Sequence, residues 1–285
     1  MKFEFNDLYR PLTPEEKKNP LAKYYERKMS DPNPEAWAIW QENKPMDYRD
    51  AMPIENMNAI LEPGYQKVEI GCCTLPNGGA YMCNRTVIPG GTFDMFSWWF
   101  PWKAMADFHY RLWCPPHHYT IKISDDAVER LMDPAVPLEQ KSRYYTHDVT
   151  EDIGGGNARI LIHYTSPYHF GFDLDRFKPP YIGNAMCLNV KVYPFDAPAG
   201  SKPHTTVMLH TCRELPEGGG IELRTRSWMG YQIVDKKPRL MLEPGEAIPW
   251  EAVYGLHEHV IIEYSNLAGF LPEIFKELDG QFVVP

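Results

Sequence analysis

The sequence contains no uninterrupted apolar run near 18 residues, so it offers no helix able to cross a bilayer. Blocks of consecutive lysine and arginine are also missing, and the formal net charge is −9. Binding a phosphate backbone calls for a clustered basic surface, so nucleic acid is not an expected partner. The six cysteines, at positions 72, 73, 83, 114, 187 and 212, form no Cys-x-x-Cys pair. A disulfide framework and a structural thiolate zinc site are therefore not expected. The opening MKFEFNDLYRPLTPEEKK has no apolar core of signal-peptide length, which points to a cytoplasmic protein and leaves the sequon Asn84-Arg85-Thr86 without meaning. The run Gly154-Gly155-Gly156 lacks the lysine of a P-loop.

Aromatic residues, in contrast, are plentiful: 8 Trp, 17 Tyr and 13 Phe. Such side chains suit the walls of an apolar ligand cavity and equally fill large cores. The first 60 or so residues read as short helices broken by prolines, with Thr13 as N-cap before Pro14, and further helices at 34–43 and 54–61. Residues 67–74 and 80–88 flank the turn signal Leu75-Pro76-Asn77-Gly78-Gly79 and read as a hairpin. FDMFSWWFPWKAMADFHYRLW, residues 93–113, is too aromatic for a linker and reads as a buried wall.

Strand-like runs follow at 159–165, 185–192, 205–212 and 221–228, joined late in the chain by short turns that favour antiparallel pairing. From about Trp250 to Leu278 the pattern becomes helical, with Val260, Leu267, Leu271, Ile274 and Leu278 on one stripe and an interruption expected at Pro272. The fold class expected is α+β: a curved antiparallel sheet wrapped on one long C-terminal helix, enclosing a cavity. A small, mainly helical N-terminal region, residues 1–89, would precede a main domain, residues 90–285.

Four of the ten histidines sit in two groups, His117-His118 and His257-Glu258-His259. On a strand, His257, His259 and Glu263 would resemble the first motif of a cupin, but no histidine follows Glu263 to complete a second motif. On a helix, His259 and Glu263 stack one turn apart while His257 diverges. The helical surroundings favour the latter. Two ligands cannot hold a metal alone, and the remote candidates are His117 or His118, with Glu151. A two-histidine, two-carboxylate set suits Zn²⁺, and would also suit Mn²⁺ or Fe²⁺. An isolated His-x-x-x-Glu is more often a surface ion pair, and Glu151 beside a glycine run can simply cap a turn.

FSWWFPW, YRLWCPPHHY, THDVTEDIGG and HVIIEYSNLAGFLP, taken in order over residues 90–272, resemble the 2,4-diacetylphloroglucinol hydrolase family, which includes phloretin hydrolase. The resemblance implies a zinc-dependent enzyme that hydrolyses the carbon–carbon bond between an acyl group and a phloroglucinol ring. It also implies a helix-grip domain, a homodimer helped by the N-terminal region, and one Zn²⁺ per chain. The metal ligands it implies are His118, Glu151, His259 and Glu263. It places Tyr110 and His210 as catalytic, ring-binding residues, and Ser227 as a substrate contact where a tyrosine is expected. The polar side chain expected just after the first ligand is not evident in Tyr119-Thr120-Ile121. His147, four residues before Glu151, is the expected partner supporting a metal ligand. Histidines 109, 163, 169 and 204 are expected to be structural. The competing readings are a carrier of aromatic ligands, a metal-dependent oxygenase, and an interaction protein with an acidic surface.

Overall fold

The computed structural model describes residues 10–179 and 181–282. The N-terminal strip holds two short α-helices, α1 (Ala22–Glu26) and α2 (Pro34–Gln41), and 3₁₀ turns at Glu16–Lys18, Tyr48–Asp50 and Ile54–Leu61. Thr13 caps as its position suggests. Its Oγ1 accepts from the Glu16 amide at 3.2 Å, while Glu16 returns a carboxylate oxygen to the Thr13 amide at 2.8 Å. The helix expected at 54–61 is a 3₁₀ segment kinked at Asn56.

The main sheet comprises β1 (Gly71–Thr74), β2 (Ala80–Pro89), β3 (His118–Lys122), β4 (Tyr145–Asp152), β5 (Asn157–Thr165), β6 (Asn184–Pro194), β7 (His204–Glu214) and β8 (Gly220–Met229). Its order is β1-β2-β8-β7-β6-β5-β4-β3, antiparallel throughout. The 93–113 wall folds as α3 (Phe93–Lys103) and α4 (Asp107–Trp113). Short helices α5 (Asp125–Met132), α6 (Leu138–Lys141) and α7 (Pro167–Phe170) and a small hairpin, β9 (Tyr231–Val234) with β10 (Lys237–Leu240), complete the periphery. The chain then enters α8 (Trp250–Ala268) and α9 (Leu271–Glu277). The break falls at Gly269-Phe270, with Pro272 in the first turn of α9, where its missing N–H costs nothing.

The boundary expected at residue 89 cuts this sheet. β2 pairs with β8 for ten residues, from Ala80 opposite Met229 to Pro89 opposite Gly220, so the early hairpin supplies two of the eight strands. Alternation along the strands then sorts two cores. Met82, Leu188 and Val190 face the helices with Trp99, Leu256 and Val260. Tyr81, Cys83, Val207, Leu209 and Trp228 face the other way, against Ile54, Met57, Ile60 and Leu61 of the N-terminal strip. Every residue of β8 after Gly220 is buried because both faces are covered. Polar pins fix the strip: the Trp228 indole donates to the Met52 carbonyl at 2.8 Å, and Glu69 accepts from the buried guanidinium groups of Arg224 and Arg226. Among the described residues no helix is long and apolar enough to cross a membrane.

Candidate metal centre and active-site cavity

Helix α8 is buried over most of its circumference, which brings His259 and Glu263 into the interior instead of onto a surface. Their i, i+4 spacing aligns them, with His259 Nε2 3.7 Å from Glu263 Oε2. The chain delivers His118 from the opposite side. After α4 ends at Trp113, Cys114-Pro115-Pro116 turns the chain, the His118 amide bonds the Cys114 carbonyl at 2.8 Å, and β3 begins. His118 is the cross-strand partner of Glu151 in the β3–β4 register, so both point to one face. His118 Nε2 lies 3.2 Å from Glu151 Oε2 and 3.6 Å from Glu263 Oε2.

A hydrogen-bond inventory shows what this cluster lacks. His118 Nδ1 meets the Tyr110 carbonyl at 3.2 Å, a contact that requires the proton on Nδ1. Its Nε2 is then a bare acceptor, buried and without a hydrogen-bond partner, facing two carboxylates. Burial also drives His118 and His259 well below the ordinary histidine range, so both stay neutral and cannot form ion pairs. Burial pushes the Glu263 carboxyl well up, with the Glu151 charge adding to the effect. Without a metal a proton held on Glu263 relieves this facing of acceptors, and a bound cation would replace it. Bonds of about 2.0–2.1 Å to a tetrahedral ion put ligand atoms roughly 3.3 Å apart, close to the separations found. Glu151, His118 and His259 can hold a metal ion together, and Glu263 is in reach of both histidines.

The surrounding contacts hold these donors still. Tyr110 donates its hydroxyl to Glu151 Oε2 and stacks on the His118 ring, with centroids 4.1 Å apart. Trp113 donates its indole N–H to the Glu263 carbonyl at 3.0 Å. Gly154, in the β4–β5 turn, packs on Gly255 of α8 so closely that a Cβ added to Gly255 would lie 2.6 Å from the Gly154 carbonyl oxygen. Asp152, not Glu151, caps this turn, its Oδ1 accepting from Gly154 and Gly156 at 2.8 and 3.1 Å.

A cavity of about 260 Å³ includes Glu151, His259 and Glu263 in its lining, together with the apolar Ile160, Ile162, Leu188, Val190 and Met208. Tyr110 and His210 line it too. His210 Nδ1 is 3.1 Å from Thr225 Oγ1, and burial lowers its pKa to about 3, so the ring is neutral.

The other expected residues fall elsewhere. Ser227 lies opposite Met208 and Met82 in register, fully buried with its hydroxyl unpartnered, and does not line the cavity. His147 shares the inward face of β4 with Glu151, yet both its ring nitrogens lack hydrogen-bond partners and it packs between Tyr145 and Tyr164. Residues four apart on a strand are about 13 Å apart, so the spacing that joins neighbours on a helix separates them here. Tyr110 occupies the supporting position expected of His147. His257 is buried without a partner at Nε2 and takes no part in the cluster. His117, half-buried, approaches His259, with Nδ1 to Nδ1 at 3.3 Å. One residue went unread in the sequence: Lys103, at the end of α3, is buried and lines the cavity. Its signal was a lone lysine in a helix whose other side chains after Asp94 are aromatic or apolar apart from Ser97.

Fold and site together define a helix-grip protein whose apolar cavity adjoins a buried histidine–carboxylate cluster. Residues 52–276 match the family described as DAPG hydrolase PhiG domain, and the chain belongs to this family of hydrolases. It is 30% identical over 271 residues to phloretin hydrolase of Eubacterium ramulus, covering 94% of this chain and 93% of that protein. It is 29% identical to 2,4-diacetylphloroglucinol hydrolases of a Pseudomonas species and of Pseudomonas protegens, in each case over 90% of this chain and over 88% and 84% of those proteins.

Proposed function

We propose that the protein is a zinc-dependent hydrolase that cleaves the carbon–carbon bond between an acyl group and a phloroglucinol ring. The substrate would be of the phloretin or 2,4-diacetylphloroglucinol type, and the products a carboxylic acid and the deacylated phenol. One observation carries this reading: His118, Glu151, His259 and Glu263 converge, as neutral or acidic acceptors, on one point beside an apolar cavity.

A zinc ion held by these four side chains would supply Lewis acidity toward the acyl carbonyl and toward water. The chain's own residues do the rest. The apolar walls take the organic part of the substrate and exclude bulk water, which strengthens every polar contact at the cluster. Tyr110 keeps Glu151 oriented through its hydroxyl and keeps the His118 ring in plane by stacking. Neutral His210, with Nδ1 engaged by Thr225, leaves Nε2 for a ring hydroxyl and for the proton that the ring carbon must receive. The N-terminal strip would serve a homodimer, and the cytoplasm would be the site of action.

Metal analysis of the purified protein, paired with anaerobic turnover of phloretin and of 2,4-diacetylphloroglucinol, tests this. About one zinc per chain and oxygen-independent release of the acid are expected. His259→Ala and Glu263→Ala should lose bound zinc and activity while keeping the fold. A zinc-free variant with wild-type turnover would sink the mechanism.

A further inference from the structure

Lys103 has no part in the scheme above, although it is the single lysine or arginine lining the cavity among the described residues. Its side chain is 1% exposed. Among the described residues no salt bridge within 4.0 Å joins a carboxylate to its ammonium. Three aromatic faces hold it instead: its Nζ lies 4.7 Å from the Trp113 centroid, 4.9 Å from Tyr110 and 5.8 Å from Phe100. It also ends α3, where the helix dipole favours a cation. These contacts leave the ammonium facing the cavity, where a ligand oxygen can meet it.

Charge counting says which ligand. The ionisable groups that line the cavity around Lys103 are Glu151, Glu263, His210, His259, Tyr110 and Tyr164. Two carboxylates are balanced by a divalent cation, and the Lys103 charge is then left over in a buried, apolar setting. Burial lowers the Lys103 pKa to about 8, with the Glu151 and Glu263 charges opposing the fall, so the ammonium persists at neutral pH, and a buried cation that no anion touches is costly. The cavity therefore accepts a ligand carrying one negative charge beside the aromatic cage.

We propose that Lys103 is a catalytic residue that touches the substrate, its ammonium receiving a ring oxygen of the acylphloroglucinol as the phenolate. This rests on the function proposed above and adds the ionisation state of the ring and the group that holds it. A hydroxyl ortho or para to an acyl carbonyl is the more acidic one, because the carbonyl shares the charge. In the cleavage, the oxygen of water bonds to the acyl carbon and the acyl–ring bond breaks. The electron pair passes into the ring and onto its oxygens, and the ring carbon then takes a proton, giving acid and phenol. Lys103 faces the oxygens on which that pair resides, so its contact strengthens as the bond breaks.

Rapid-scanning absorbance of a single turnover tests this, with zinc-loaded protein in excess over phloretin at a pH where free phloretin is protonated. The expected record is an immediate red-shifted phenolate band followed by its decay as the ketone is cleaved. Lys103→Met should lose the band and about 100-fold in kcat/KM, at unchanged zinc content and circular dichroism. Lys103→Arg, which keeps the charge, should retain the band. Decay without an initial phenolate band in the wild type overturns the role of Lys103 and leaves the hydrolase reading standing. If neither phloretin nor 2,4-diacetylphloroglucinol decays under these conditions, the hydrolase reading is overturned. An undiminished band in Lys103→Met, or a lost one in folded, zinc-loaded Lys103→Arg, also overturns the proposal. If Lys103→Met does not fold, the wild-type and arginine records decide.

Discussion

Gly255→Ala should detach metal affinity from stability. Gly255 sits one turn before His259 on α8, and Gly154 lies three residues beyond Glu151, so their backbone contact fixes how near the helix comes to the strand. A Cβ on Gly255 would stand 2.6 Å from the Gly154 oxygen, 2.9 Å from its carbonyl carbon and 3.1 Å from its Cα, against 3.4 Å for ordinary contact. These are backbone atoms, so no side chain can swing away, and the helix must retreat by roughly 0.8 Å. Overpacking of this kind costs about 1–3 kcal/mol, while alanine in place of a helical glycine returns about 1 kcal/mol. The net change in stability is therefore small. Metal ligands tolerate only about 0.2 Å, and His259 moves with its turn. Zinc affinity, measured by competition with a chromophoric chelator, should fall by about 10–100-fold while the melting temperature of the metal-free protein shifts by a few degrees. Gly156→Ala is the control. Its φ of +93° makes alanine strained, but nothing lies within 4 Å of the new Cβ. It should cost about 1–2 kcal/mol of stability and leave zinc affinity alone. Equal zinc affinity in Gly255→Ala and wild type would refute the idea that this contact sets the spacing of the ligands.

Two further outcomes follow from the same geometry. His109 stacks on Trp102 at 4.0 Å, bonds the Trp102 carbonyl through Nδ1 at 3.2 Å and leaves Nε2 buried without a partner. Burial lowers its pKa from 6.5 to about 4, so its contribution is fully present above pH 6.5 and is lost as pH falls toward 4, on the order of 3 kcal/mol. His109→Phe should flatten the pH dependence of the unfolding free energy over that window, and an unchanged slope in denaturant titrations would contradict this. Val190→Phe adds a ring to the cavity wall. It should lower kcat/KM for phloretin, with its arylpropionyl group, about tenfold more than for the diacetylated ring, and equal losses would show that the acyl chain lies elsewhere.

Much of the architecture was legible because each element has its own period. The Leu75–Gly79 turn signal, the strand runs and the stripe through Val260 and Leu267 all became the expected elements. Where the hairpin belonged was not legible, because pairing between β2 and β8 joins residues some 140 positions apart and leaves no local mark. The peripheral β9–β10 hairpin and α5 were not read either; α5 is capped by Ser124 and buries only Ala127 and Leu131, so its apolar stripe is thin.

The site divides along the same line. His259 and Glu263 could be paired from spacing because helical phase is local, and helical phase also set His257 aside. His118 and Glu151 are 33 positions apart and meet only through the β3–β4 register, which spacing cannot supply and a family resemblance can. His147 shows the failure of spacing outright: four residues mean contact on α8 and separation on β4. Tyr110 was named from the resemblance, but its contact with Glu151, and any part for Lys103, are legible only in three dimensions. Tyr110 reaches Glu151 from α4, and Lys103 reaches the cavity from the end of α3. Both lie in the aromatic stretch that reads as a wall. That wall is part of the chemistry, since the faces of Phe100, Tyr110 and Trp113 surround the Lys103 ammonium while the charges of Glu151 and Glu263, at longer range, oppose the fall that burial imposes on its pKa.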